Sequence, residues 1–377
     1  MDEQVARQDP RVKDLMSEFV CVRLVQANAM DLELFQFDYD LTFAVLFLNA
    51  DRTIYGRYGS RLNEESSDDI SIEGFRQALA AALELHQGYP GNKPLLAGKQ
   101  ARPVPFKRPE EYPSLRGKFK EELDYAGNVA RSCMHCHQVR DAERLVYRTA
   151  KKPIPDELLY PYPSPGAVGL KLDHNSKARV SSVARGSAAA KAGFRVGDEI
   201  VSLDGQPIIS ITDVQWVLHN TGGSAEAREA ANSENLLALG AEVVRERKRT
   251  QLTVKLAEGW RRASDISWRV TTWDLRRMGT GGLVLEELPA EERQKAGLVG
   301  TDLGLRVKYV GQYGDHAAAK RAGFQKGDIL LDLDGQSHRM TESDVLAYAV
   351  QEKLPGDQVP VTVLREDKRV QLKLPIQ

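Results

Sequence analysis

A duplication sets the terms for everything else in this chain. Residues 192–206 read AGFRVGDEIVSLDGQ and residues 322–336 read AGFQKGDILLDLDGQ, aligned without a gap at an offset of 130. Upstream, 166–172 (GAVGLKL) matches 279–285 (GTGGLVL), and 179–183 (RVSSV) matches 306–310 (RVKYV). Downstream, Val244-Arg-Glu matches Leu364-Arg-Glu. Four blocks recurring in one order mark a repeated domain of about 100 residues. The insertions fall near 225–240 in the first copy and 289–304 in the second.

Each block has a local reading. The glycine block is a turn opening a strand, since glycine admits positive φ and close backbone approach. An alanine-rich stretch ends at Gly193 or Gly323, the pattern of a short helix closed by a glycine cap. G-D-x-(I/L)-(V/L)-x-L is an alternating strand closed by a D-G turn. A helix follows, begun at Thr212 in the first copy and at Thr341 and Ser343 in the second. Two alternating strands, 242–256 and 359–374, close each copy.

With these motifs stated, each copy resembles a bacterial PDZ domain of the kind attached to envelope proteases, and the resemblance covers more than half of the 377 residues. It implies binding of C-terminal or extended peptides: the strand after the glycine loop accepts a peptide as an added strand, and loop amides hold its carboxylate. By residue match the loops are Gly166, Ala167, Val168, Gly169 and Leu170, and Gly279, Thr280, Gly281, Gly282 and Leu283. The alternative is that one or both grooves are blocked and the module only packs domains together.

The N-terminal part predicts an amphipathic helix over 5–18, strands over 19–25 (FVCVRLV), 42–48 and 53–58, and a helix over 70–85. This order is similar to a thioredoxin fold that begins one strand late. No cysteine precedes Cys21 and Leu41 stands where that family has a cis-proline, so the family's redox pair is absent. Cys21 reads as a small apolar residue within a strand. The whole chain resembles bacterial thioredoxin-like/tandem PDZ fusions, some of them selenoproteins. That resemblance implies an upstream extension carrying C-x-x-C or C-x-x-U.

Residues 133–137 read Cys-Met-His-Cys-His, the attachment pattern of c-type haem. Cys133 and Cys136 would bond the vinyl groups from one helical turn, and His137 would ligate the iron. Zinc on the same three residues, a disulfide, and two inert thiols are the alternatives. His86, His174, His135 and Met134 are candidate sixth ligands by type alone, whereas His219, His316 and His338 read as packing or surface residues. Haem attachment is extracytoplasmic, so a periplasmic location is expected, yet the start MDEQVARQDP is no signal peptide.

The expected fold class is α+β multidomain: a truncated thioredoxin-like domain over 1–91, an extended connector with the haem motif over 92–159, and PDZ domains over 160–262 and 263–377. The expected function is an exported redox-associated protein with an undefined redox partner. A non-enzymatic PDZ adaptor, or a thiol-disulfide oxidoreductase in full-length form, is the alternative. A net charge of -1 gives no basic excess for nucleic acid. No apolar run reaches membrane-spanning length. A hydrolase is set aside: there is no G-x-S-x-G elbow, and Ser60 and Ser132 have no defensible His and Asp partners.

Overall fold

The computed structural model describes residues 9–59, 70–222 and 237–377. They form two compact units, Met1–Cys136 with Tyr160–Ser264, and His137–Leu159 with Asp265–Gln377. The stretch 92–159 is thus divided between them, at the start of a helix over Cys136–Thr149.

In the first unit, helix α1 (Pro10–Ser17) starts where Asp9 accepts from the Arg11 N–H and proline fills the first turn. Strands β1 (Val45–Leu48) and β2 (Ile54–Tyr58) make an antiparallel hairpin. Helix α2 (Ile72–Gln87) is capped by Ser71, whose hydroxyl accepts from Gly74 N–H. Val12, Phe47, Tyr55, Phe75 and Leu79 share one core.

The thioredoxin-like expectation is corrected here. Residues 19–25 alternate as a strand should, but form none. Val20, Val22 and Val25 are 96%, 79% and 79% exposed. The hairpin is a two-stranded sheet, so no thioredoxin sheet is built among the described residues. Strand propensity needs a partner edge to become a strand, and residues 19–25 are laddered to none.

The rest of the first unit is an antiparallel sheet in the order β3-β4-β5-β7-β8, with β6 (Gln206–Pro207) paired to β5. Its strands are β3 (Leu170–Asp173), β4 (Arg179–Val183), β5 (Glu199–Leu203), β7 (Leu237–Arg245) and β8 (Lys248–Leu256). Helix α3 (Cys136–Thr149) belongs, from His137 on, to the second unit. Helix α4 (Ala188–Ala192) ends at Gly193 with φ 90°, and α5 (Ile211–Asn220) follows β6. Apolar side chains of the sheet and α5 meet in one core around Trp216, Val243 and Ile200.

The second unit repeats the plan in the order β13-β12-β11-β10-β9. Its elements are α6 (Thr272–Thr280), β9 (Leu283–Glu287), α7 (Ala290–Lys295), β10 (Leu305–Val310), α8 (Ala318–Arg321), β11 (Ile329–Leu333), α9 (Glu342–Gln351), β12 (Gln358–Arg365) and β13 (Lys368–Pro375). Residues 137–159 pack on this unit. Arg148 donates to the carbonyls of Lys353 (2.8 Å) and Gln377 (2.8 Å), and Arg144 to the Thr271 hydroxyl (2.8 Å). Two buried arginines on α3, Arg144 and Arg148, therefore cap turns and the chain end, while buried Arg140 pairs with Glu143 one turn along, a polar use of a helix face that periodicity alone does not disclose.

Candidate functional site

In both units the strand after the glycine block is an edge of its sheet. An edge strand offers unpaired N–H and C=O groups to an incoming extended chain. The two edges are furnished differently.

In the first unit, Pro165–Val168 is a single 3-10 turn ending at Gly169, whose φ is 88°. A side chain at 169 would be strained and would collide with Ser187, so the loop needs glycine there. Gly166 is exposed, Ala167 and Gly169 are half-buried, and Val168 and Leu170 point into the core. Helix α5 shares its core with β3 and is tied down at several points. Asp213 in its first turn accepts from the backbone N–H groups of Arg57 (3.0 Å) and Ile209 (3.2 Å). It also pairs with Lys99 at 2.6 Å, both side chains 1% exposed. Burial pushes the Lys99 amine down, and the Asp213 charge works against that. Trp216 donates its indole N–H to the Gly98 carbonyl at 2.8 Å. Tyr162, leading into the loop, stacks on His219 at 4.2 Å and accepts from Gln215.

In the second unit the matching residues are covered. Gly279 and Thr280 are the end of α6, and Gly279, Thr280, Gly281, Gly282 and Leu283 are all buried. Gly281 (φ 59°) and Gly282 (φ 91°) make the turn into β9. A Cβ on Gly279 would sit 3.0 Å from that of Ala349, so α6 and α9 are in close contact. Glu342, the first residue of α9, accepts from the Leu285 N–H of β9 at 2.8 Å. Its carboxylate is also held by Arg276 of α6, at 3.0 and 2.6 Å. In the first unit, β3 Leu172 matches Leu285, and Ile211 opens α5 where Glu342 opens α9. The Leu172 N–H meets no side-chain acceptor among the described residues.

The fourth repeated block also acquires a reason. Arg245 donates to both carboxylate oxygens of Asp198 at 2.7 Å, and Arg365 does the same to Asp328. Each arginine also reaches the carbonyl of the helix-capping glycine, Gly193 or Gly323, at 2.8 Å. The aspartate of the G-D motif is thus a structural anchor, and the recurrence of both residues in matching blocks was the signal available in the sequence.

The cysteine motif is placed otherwise than haem attachment requires. Cys133 is extended (φ −78°, ψ 121°) and helix α3 begins only at Cys136, so the two thiols do not share a helical turn. Met134 between them is fully buried, its N–H bonded to Asn28 Oδ1 at 2.7 Å. Asn28 also donates to the carbonyls of Ser132 and Lys120. Both thiols are free, and burial pushes that of Cys136 up. Among the described residues no cluster of three or more His, Cys, Asp and Glu side chains is arranged to hold a metal ion. Cys21 is exposed rather than buried.

Of the other histidines, His86 bonds the Tyr55 hydroxyl at 2.9 Å and His316 stacks on Trp273 at 4.9 Å. His219 lies on Tyr162, so these three rings are spent on aromatic contacts. The Ser132 hydroxyl donates to the Val129 carbonyl. Ser60 lies outside the described residues, as does most of the first copy's insertion.

Comparison with known proteins decides what the repeats are. PDZ-domain models match residues 179–226 and 297–376. The chain contains two PDZ domains. A probable periplasmic serine endoprotease, DegP-like, from Pseudomonas savastanoi pv. phaseolicola is 30% identical over 201 residues, 52% of this chain and 37% of that protein. One from Marinomonas sp. is 28% identical over 195 residues, 52% and 36% of the two chains. This chain thus spans about a third of the length of the curated relatives it matches. The solved HtrA-type protease AlgW with tripeptide is 30% identical over 25% of this chain and 30% of its own, with a TM-score of 0.20, too poor a superposition to bear on the fold.

These relatives overturn the redox reading. The proteins similar to this PDZ chain are named as serine endoproteases, not as thioredoxin-like, selenoprotein or haem fusions. Together with the extended Cys133 and the lack of a three-ligand cluster among the described residues, this removes haem c and zinc on Cys133, Cys136 and His137. It also removes the electron-transfer and thiol-disulfide oxidoreductase functions drawn from them. The relatives are periplasmic by name, and among the described residues no helix is long and apolar enough to cross a membrane.

Proposed function

We propose that this chain is a PDZ docking protein whose first domain takes the C-terminal or extended segment of a protein partner along β3, outside the cytoplasm. The observation that carries the reading is the contrast in the glycine loops: the first presents Gly166, Ala167 and Gly169 to solvent beside an edge strand, while the second is wholly buried. An added strand would bond to the outer edge of β3, and its carboxylate would meet loop amides at 166–170. Pinned by Asp213, Lys99 and Trp216, α5 need not be ordered on binding, which lowers the entropic cost of docking.

The test is a selection from a phage-displayed library of free C-terminal heptapeptides on the full chain, followed by fluorescence titration. Peptides should bind saturably. Gly169→Val, which forces a side chain into a left-handed position, and Ile211→Glu, which puts a carboxylate opposite the Leu172 N–H, should each weaken binding at least tenfold in protein that still melts cooperatively. Selection of nothing, or peptides insensitive to both changes, contradicts the reading.

The relatives favour a second reading of the same site, in which docking serves proteolysis. A degradation assay on a display-selected peptide, with and without a serine-directed inhibitor, separates the two: cleavage blocked by the inhibitor supports it, and intact peptide leaves the adaptor.

A further inference from the structure

The second PDZ domain carries the same edge strand, but its approaches are filled by its own chain. We infer that this domain is a latent peptide site, plugged by α6 and latched by Arg276 and Glu342. This rests on the reading of the first domain as a peptide-docking module, and goes beyond it by giving the second copy a closed state and a key.

Three observations combine. Glu342 places a carboxylate oxygen on the Leu285 N–H, at 2.8 Å, in the middle of the edge that an added strand would use. A carboxylate there does for β9 what a peptide carbonyl would do, so the Leu285 N–H is satisfied without a partner strand. Arg276 then grips both oxygens of that carboxylate and reaches the Ser267 carbonyl at 2.9 Å, tying α6 to α9. Side chains complete the closure: Leu275 and Met278 of α6 are 0% and 1% exposed, and Gly279 permits the approach to Ala349 and Val350. The other end of α9 is covered too, because Ile154 N–H reaches the Val350 carbonyl and Gln351 returns a bond to Ile154.

The latch is an ion pair with side chains 12% and 6% exposed, in which each partner depends on the other. Removing either leaves a buried charge and weakens the closure. The ligand that opens it must offer what Glu342 offers: an extended segment with an oxygen for the Leu285 N–H and an acidic group for Arg276. An acidic C-terminal peptide meets both needs. The first domain has no such latch, since Ile211 stands at the Glu342 position and Pro163 at the Arg276 position.

The experiment counts sites. The C-terminal heptapeptide library is panned on the wild-type chain and on Glu342→Ala and Arg276→Ala, two independent ways of breaking one latch. Selected peptides are then titrated calorimetrically into each protein, with thermal melts confirming folding. One tight site per wild-type chain is expected, with a second site at least tenfold weaker that only acidic peptides fill, and two tight sites in both variants. In an Ile211→Glu background the wild-type latch should give no tight site, and the latch variants one. A stoichiometry that stays at one in both folded variants overturns the latch while leaving docking at the first domain intact. A second site in the wild-type chain as tight as that in the latch variants overturns it as well. If no protein selects any peptide, the docking reading itself fails.

Discussion

Arg245 grips Asp198 with two parallel bonds of 2.7 Å, and the pair is repeated 130 and 120 residues on by Asp328 and Arg365. In each domain this ties the last strand pair to the turn before the G-D strand, and a third bond closes on the glycine that ends the short helix. The aspartate is almost fully buried in both copies. Breaking such a pair from one side leaves an uncompensated charge. Asp198→Ala should therefore destabilise the first domain by about 3 kcal/mol, and Asp328→Ala the second similarly. Urea melts of each variant check this, and a loss below 1 kcal/mol would show the clasp to be incidental.

The same carboxylate sets an acid limit. Burial alone would raise the Asp198 carboxyl, but the Arg245 guanidinium and the Arg195 N–H outweigh it and hold it below the ordinary 3.8. A carboxylate with a lowered folded pKa contributes stability that is full above its unfolded value and is lost as pH falls through its folded value. The stability gap between wild type and Asp198→Asn should therefore be constant from pH 5 to 7 and shrink below about pH 4. Thermal melts across that range test it; a gap that widens in acid contradicts the assignment.

The doubled architecture could be read from the chain because its signals are local. Gly193 and Gly323, the D-G turns at 204 and 334, and the alternating strands each dictate a backbone shape by themselves. What failed was long-range. The 19–25 segment has the residue types of a strand, but only a neighbouring edge makes one, and no local pattern reports the neighbour. The cysteine motif failed for a related reason. Its spacing fits haem only if the residues are helical, and Asn28, 105 positions before Cys133, holds the segment extended through Met134 and Ser132. The Glu342–Arg276 latch was likewise invisible, being written in residues 66 apart that differ between the two copies.

That role for Asn28 has its own consequence. With Asn28→Ala, the Met134 N–H and two carbonyls lose their partner, at a cost of about 2–3 kcal/mol. The Cys133 and Cys136 thiols should then alkylate faster with iodoacetamide than in the wild type. In the wild type, exposed Cys21 should react before Cys136, whose thiol burial keeps protonated. Peptide mass mapping over time reads both. Equal rates at all three cysteines would contradict the packing described.

Lys99 and Asp213 form a further buried pair, and they hold α5 from outside the PDZ fold. Asp213→Ala would strand the Lys99 and Arg57 charges and orphan two backbone N–H groups, so the first unit should lose about 3–5 kcal/mol. Replacing Lys99 and Asp213 together by Met and Leu should recover much of that loss. Double-mutant melts decide it, and a double variant no better than Asp213→Ala would place the loss in the backbone bonds instead.

The central claim is that the first PDZ domain docks a peptide at its exposed glycine loop. The most direct measurement is an amide NMR titration of the full chain with a display-selected C-terminal heptapeptide. The account predicts saturable shifts at Gly166, Ala167, Gly169 and along Leu170–Asp173, with the 279–285 amides unmoved until Glu342 or Arg276 is replaced. Shifts that avoid 166–173, or none at saturating peptide, would contradict it.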